Sequence, residues 1–279
     1  MEKEEKTTPM LAQYQQIKAQ YLNFVIFFRL GDFYEMFYED ADNISRELEL
    51  ALTSRAGVPM CGIPHHACTP YIKRLVDNGH RIAICEQMED PSTAKGLVKR
   101  EVVRIITPGT VIEEGMLDED RNNYILCLLC EGTSCGMVFA DISTGEFHLL
   151  EKTGKNREEL SGGIIGELGN YMPVELLFNE KFLDFKEANS FISDKLSHSI
   201  GDILPDEDYA LSDTKDLTEQ FITENSGELP DSMPLCKRSV YALFKYINST
   251  YKSKVSRSVK FFVHGGKEYM ELNLSTRRN

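Results

Sequence analysis

A chain of 279 residues with 31 Lys and Arg against 44 Asp and Glu, a net charge of −13, is long enough for two domains that each bury their own core. It holds no run of about eighteen apolar residues, and its start, MEKEEKTTP, is charged with no apolar segment behind it. Neither a membrane span nor a secretory leader is therefore expected, and the chain reads as cytoplasmic. Seven scattered cysteines exclude the dense, even disulfide framework of a small secreted fold.

The first helix is signalled by Thr8-Pro9, a favoured N-cap followed by Pro at N1, with Met10, Tyr14, Ile17 and Tyr21 at helical spacing. The apolar run Phe24–Leu30 is too continuous for a surface strand and predicts a central one. Gly31-Asp32 ends it. A second helix is expected next, with Asp32 and Glu35 in a capping-box pattern and Phe37, Ala41, Ile44 and Leu48 on one face. Short strands near Leu50–Ser54 and Val58–Ile63 follow, then a helix from Thr69-Pro70 to Gly79 and a strand over Arg81–Glu86. After a loop, Asp90–Gly96, the run Val98–Thr107 reads as a long strand ended by Pro108-Gly109.

These elements make an α+β domain with a mixed sheet over residues 1–112. The acid-rich stretch 113–123 reads as a linker, and a second domain occupies 124–260. There, Tyr124–Cys130, Cys135–Asp141 and Glu146–Leu150 form an antiparallel meander, followed by a helix over Arg157–Tyr171 and a strand at Val174–Phe178. Strands then alternate with helices, an order that resembles the ribonuclease H-like α/β arrangement. The overall class is mixed α/β.

Charge is uneven along the chain. Residues 1–112 carry a net −2 and residues 113–279 a net −11, so the acidity belongs to the second part. Within it, residues 202–231 hold ten acids against Lys215 alone, and residues 232–266 hold seven bases and no acid. Both blocks fit solvated faces or linkers.

Three constellations could carry chemistry. In FRLGDFYEMFY (28–38), Phe33 and Glu35 fit a core ring and a helix cap. The other reading is an exposed ring that enters a distorted base step, with a carboxylate that reads a base edge. Cys61, His65, His66 and Cys68 offer metal-ligand types at a spacing unlike the usual separated zinc pairs, and Cys127-Leu-Leu-Cys130 adds a CxxC that sits in a run reading as a buried strand. Asp141-Ile-Ser-Thr-Gly-Glu146 is a hairpin turn or, in a ribonuclease H-like nuclease, the first of several metal-binding carboxylates. No GxxxxGK[ST] phosphate loop occurs.

Six stretches, in order, resemble the N-terminal mismatch-binding domain of the bacterial MutS DNA mismatch-repair proteins: Thr8-Pro-Met, Phe28-Arg-Leu-Gly-Asp-Phe-Tyr-Glu-Met-Phe37, Leu52-Thr-Ser-Arg55, Pro59-Met-Cys-Gly-Ile-Pro64, Ala83-Ile-Cys-Glu-Gln87 and Val102-Val-Arg-Ile-Ile-Thr-Pro-Gly-Thr110. Asp141–Glu146 resembles the start of that family's connector, a ribonuclease H-like fold without nuclease activity, and residues 261–279 resemble the start of its lever domain. The resemblance implies that Phe33 wedges into a mispaired step and Glu35 bonds the base, with Arg55 and Arg104 on the DNA backbone. It implies mismatched double-stranded DNA and a MutL-type protein as partners, and a homodimer in the full-length protein. No cofactor and no enzymatic activity are expected of this stretch; ATP and Mg belong to the full-length family protein. Two departures stand out: the loop between Arg55 and Val58 is short, and His65 stands where the family commonly has Tyr.

Overall fold

A computed structural model describes residues 8–89, 96–118, 120–212, 214–223, 225–251 and 258–264. It divides into two compact units, residues 1–107 and 108–279. The expected loop 90–96 (apart from Gly96) and the tail beyond residue 264 lie outside the described residues.

In the first unit, helix α1 (Pro9–Gln20) is capped by the Thr8 hydroxyl, which accepts from Leu11 N, and buries Leu11, Tyr14 and Ile17. Strands β1 (Val25–Leu30) and β2 (Phe33–Phe37) form an antiparallel hairpin, and helix α2 (Tyr38–Glu47) follows directly. Next come β3 (Thr53–Arg55), β4 (Val58–Pro64), helix α3 (Thr69–Asp77), β5 (Ile82–Gln87) and β6 (Arg100–Ile106). The sheet order is β3-β4-β2-β1-β5-β6, with β1 central as its apolar run demands. Only the β1–β5 pairing is parallel, so the sheet is mixed.

The expected helix starting at Asp32 is not formed. Gly31, at φ +56°, leads a two-residue turn that pairs Leu30 with Phe33, a position where glycine suits the twist of a hairpin. The Phe-Tyr-Glu-Met-Phe run that follows is aromatic-rich and takes the strand for which such residues are suited. The helix begins only at Tyr38, and Asp32 does not cap it.

In the second unit, β7 (Tyr124–Glu131), β8 (Ser134–Asp141) and β9 (Glu146–Thr153) form the antiparallel meander. Helix α4 (Arg157–Tyr171) leads to β10 (Glu175–Phe178), parallel to β7, and helix α5 (Lys186–Lys195) to β11 (Ile200–Ile203), parallel to β10. Helices α6 (Lys215–Phe221) and α7 (Pro234–Thr250) precede β12 (Lys260–His264), which runs parallel to β9. The order β11-β10-β7-β8-β9-β12 is the ribonuclease H-like arrangement with β12 added at one edge.

This sheet lies between two apolar layers. Leu126, Leu128 and Cys130 of β7 pack with Leu160 and Ile164 of α4, while Ile125, Cys127 and Leu129 pack with Val240 and Phe244 of α7. Burial on both faces explains why Tyr124–Cys130 reads as an unbroken apolar run. Residues 108–112 are built into this unit: the buried Glu175 accepts Gly109 N at 2.8 Å, and Tyr251 donates to Thr110 O. Of the basic block, Arg238 pairs with Glu131, Lys237 with Asp231, and Lys245 donates to the carbonyls of residues 207, 208 and 210.

Candidate nucleic-acid interface

The β1–β2 hairpin carries the candidate site of the first unit. Strand alternation and pairing set the faces. Glu35 lies opposite Phe28, which lies opposite Cys85, and Phe28 and Cys85 join Tyr14 of α1 in one core cluster. Phe33, Glu35 and Phe37 therefore share the α1 face of the sheet. Along β2, Phe37 is fully buried, Glu35 is 5% exposed and Phe33, at the tip, is 46% exposed. The Phe33 ring is thus only half covered, unlike the fully buried Phe37 on the same face.

The turn below Phe33 is held from the end of β4. His65 N donates to Asp32 O at 2.9 Å, and the His65 ring nitrogen Nδ1 lies 3.1 Å from the same oxygen. The opposite face of the hairpin is tied down as well: Tyr34 donates its hydroxyl to Glu86, and the Arg29 guanidinium stands over the Tyr34 ring.

Glu35 has an unusual environment for a carboxylate. Its Oε1 accepts from Arg55 Nη2 at 2.7 Å, whereas Oε2 is buried with no hydrogen-bond partner among the described residues. Burial pushes its pKa above the usual carboxylate range; the Arg55 and Arg100 charges oppose that rise. Beneath it lies Gly62, its cross-strand partner on β4, so the acid's stem rests against bare backbone.

Arg55 stands on β3 opposite Val58, at the start of a tight hairpin turn. Ala56 and Gly57 both take positive φ, +51° and +86°, which is how a two-residue turn closes a hairpin and why the Arg55–Val58 connection is short. Arg104 does not join this group. A bulge between Ile84 and Cys85 shifts the register, so Val102 and Ile105 of β6 face α1 while Arg104, opposite Ile84, faces away from Phe33 and Glu35.

Sequence reasoning missed Arg100. It is 7% exposed, stands over the Phe28 ring at 4.9 Å, and donates to Arg29 O, Val98 O and Gln13 Oε1. It braces the strand leading into the hairpin tip. No local motif distinguishes Arg100 from Arg104; only the bulge does.

The other candidates lose their chemistry. Asp141 is buried and accepts from Ser143 N, the Ser143 hydroxyl and Thr144 N on Oδ1, and from Asn123 N on Oδ2. It is a turn-forming carboxylate. Among the described residues no three His, Cys, Asp or Glu side chains come together to hold a metal ion. Cys127 and Cys130 point into opposite core layers, and burial pushes the Cys61 thiol up to about 12.

Residues 8–115 match the family model described as MutS domain I, and residues 123–258 the one described as MutS domain II. The chain is 41% identical to the DNA mismatch repair protein MutS of Alkaliphilus oremlandii, over 98% of this chain and 32% of that protein. The protein of the same name from Clostridioides difficile is also 41% identical, over 98% of this chain and 28% of its own length. That of Ruminiclostridium cellulolyticum is 39% identical, over 98% and 31%. The chain thus spans about a third of the length of the curated relatives it matches. With both family matches in order and each falling on one sheet of the structure, the chain belongs to the MutS family of DNA mismatch-repair proteins, of which it carries domains I and II.

Proposed function

We propose that this chain recognises mispaired steps in double-stranded DNA, with Phe33 as the wedge and Glu35 as the reader of the exposed base. The observation that carries the reading is the half-exposed Phe33 ring at a hairpin tip, two residues from a carboxylate on the same face. An aromatic wedge opens a base step at a cost of roughly a few kcal/mol, and a mispaired step is cheaper to open. A carboxylate penalises base edges that offer it no donor, so it adds discrimination, not affinity. Arg55 shares the Glu35 site and belongs to this set; Arg104, on the far face, is left out of it.

The chain acts by binding, not catalysis. ATP and Mg²⁺ chemistry, dimerisation and docking of a MutL-type protein are assigned to the assembled full-length protein in the cytoplasm, the last of these through the second unit. The experiment compares Phe33→Ala with the parent on duplexes that differ by one mispair. The chain replaces the matching region of the Clostridioides difficile relative for this comparison. Preference for the mispaired duplex should fall by about tenfold, the order of one lost base–aromatic stack of 1–3 kcal/mol. An unchanged preference refutes the wedge.

A further inference from the structure

We propose that Arg55 is a latch on Glu35, exchanged for a base when a mispair is bound. This rests on the mismatch reading above and adds a specificity-determining residue to it. Arg55 and Glu35 meet at 2.7 Å, but the two side chains are placed very differently: the arginine is 47% exposed and the glutamate 7%. Arg55 covers a buried carboxylate from the solvent side, held to it by one hydrogen bond. Glu35 cannot meet a base edge on that side while Arg55 occupies it, and Arg55 cannot meet a phosphate with the same nitrogen while it holds Glu35.

On matched DNA, no base edge is offered to Glu35, and the pair persists. The acid's charge stays compensated, and Arg55 makes no phosphate contact. On mispaired DNA, the opened step gives Glu35 a donor. The carboxylate turns to it, and the freed guanidinium reaches the nearest phosphate. One event therefore adds a base contact and a backbone contact together, and both are withheld from matched sequence. The missing partner on Oε2 is consistent with an acid whose hydrogen bonding is incomplete before DNA arrives.

The exchange has a thermodynamic signature. Each phosphate neutralised by Arg or Lys releases counterions and steepens the dependence of log K on log salt by about 0.9. The latch requires the parent protein to show a steeper salt slope on mispaired than on matched duplex, by about one phosphate contact. Arg55→Gln should remove the difference by lowering the mispaired slope. Glu35→Gln should remove it by raising the matched slope, because Arg55 is then free on both duplexes. Binding is measured by fluorescence anisotropy in the same chimera, with the intact 279-residue chain at low salt beside it.

Equal slopes in the parent, or an Arg55→Gln loss that is the same on both duplexes, overturn the latch and make Arg55 a plain phosphate contact. If the parent shows no mispair preference at all, the mismatch reading fails. The pair is then judged in the DNA-free chain by NMR titration of the Glu35 carboxyl, which Arg55→Gln must shift upward. No shift overturns the pair itself.

Discussion

The Glu35 side chain lies directly on Gly62: a Cβ placed at residue 62 would stand 3.3 Å from Glu35 Cγ and 3.2 Å from Tyr34 O. The glycine is a platform. It has no positive φ to explain it, so the space is what the residue supplies. Gly62→Ala should therefore cost about 1–3 kcal/mol, the usual range for overpacking, since the acid's stem can give by a few tenths of an ångström but the closer Tyr34 carbonyl is backbone. The same change should lower mispair discrimination by displacing Glu35. Urea denaturation and paired-duplex binding read the two effects separately.

Phe33 and Phe37 occupy the same face of the same strand and should respond in opposite ways. Phe37→Ala empties a fully buried site among Tyr14 and Phe28 and should cost about 3–5 kcal/mol. Phe33→Ala should stay within about 0.5 kcal/mol of the parent in stability, because the ring is half in solvent. Thermal melts of the two variants check this, and a large Phe33→Ala destabilisation would return the ring to a packing role.

Glu35 should leave a mark on the pH dependence of stability. Burial raises its folded pKa, against the opposing Arg55 and Arg100 charges. Between the unfolded value and that raised value, the folded chain keeps a proton that the unfolded chain has lost. Its contribution is thus complete at pH below the unfolded value and is lost as pH rises through the folded value. Glu35→Gln should flatten that fall, which denaturation midpoints taken across acidic to neutral pH will show.

Arg100→Lys should not substitute for Arg100. The guanidinium donates in two directions and lies over the Phe28 ring, whereas an ammonium offers a point charge. Losing the fork leaves the part-buried carbonyls of Arg29 and Val98 short of donors, at a cost of about 1–3 kcal/mol, with Arg100→Ala costing as much or more. Equal stability of Arg100→Lys and the parent would show that charge alone suffices.

Asp141→Ala should destabilise by about 1–3 kcal/mol by orphaning the N–H groups of Asn123, Ser143 and Thr144. It should leave the response of labelled duplex to Mg²⁺ or Mn²⁺ unchanged. Strand cleavage that disappears with Asp141→Ala would revive the nuclease reading.

Much of this molecule was legible in the sequence, for physical reasons that also explain the errors. Thr8-Pro9, the apolar run of β1 and the three-strand meander are local or periodic signals strong enough to survive any tertiary context. The β1–β2 hairpin was not legible because Asp32-x-x-Glu35 and the apolar spacing to Leu48 imitate a helix start, while the competing signal is one glycine whose positive φ shows only in three dimensions. Phe33 and Glu35 were singled out as residues, yet expected on a helix where the chain forms a strand. Their surroundings were out of reach: the Arg55 pair joins residues on different strands, and the bulge that turns Arg104 away from Phe33 has no marker in Val102-Val-Arg-Ile.

The strap formed by residues 108–110 gives the chain a seam that its family pattern does not follow. Pro108-Gly-Thr110 ends the motif that resembles the mismatch-binding domain, and the domain I match runs on to residue 115. Yet Gly109 is fitted so closely to the second unit that a Cβ there would come within 2.8 Å of both Glu175 Oε2 and Ile125 Cβ. A first domain excised at its family boundary would carry away a piece of its neighbour's core, removing the Gly109 N–H that Glu175 Oε2 accepts while the Tyr246 hydroxyl stays on Oε1. The natural place to separate the two is after Thr107, where the compact units divide, eight residues before the family match ends.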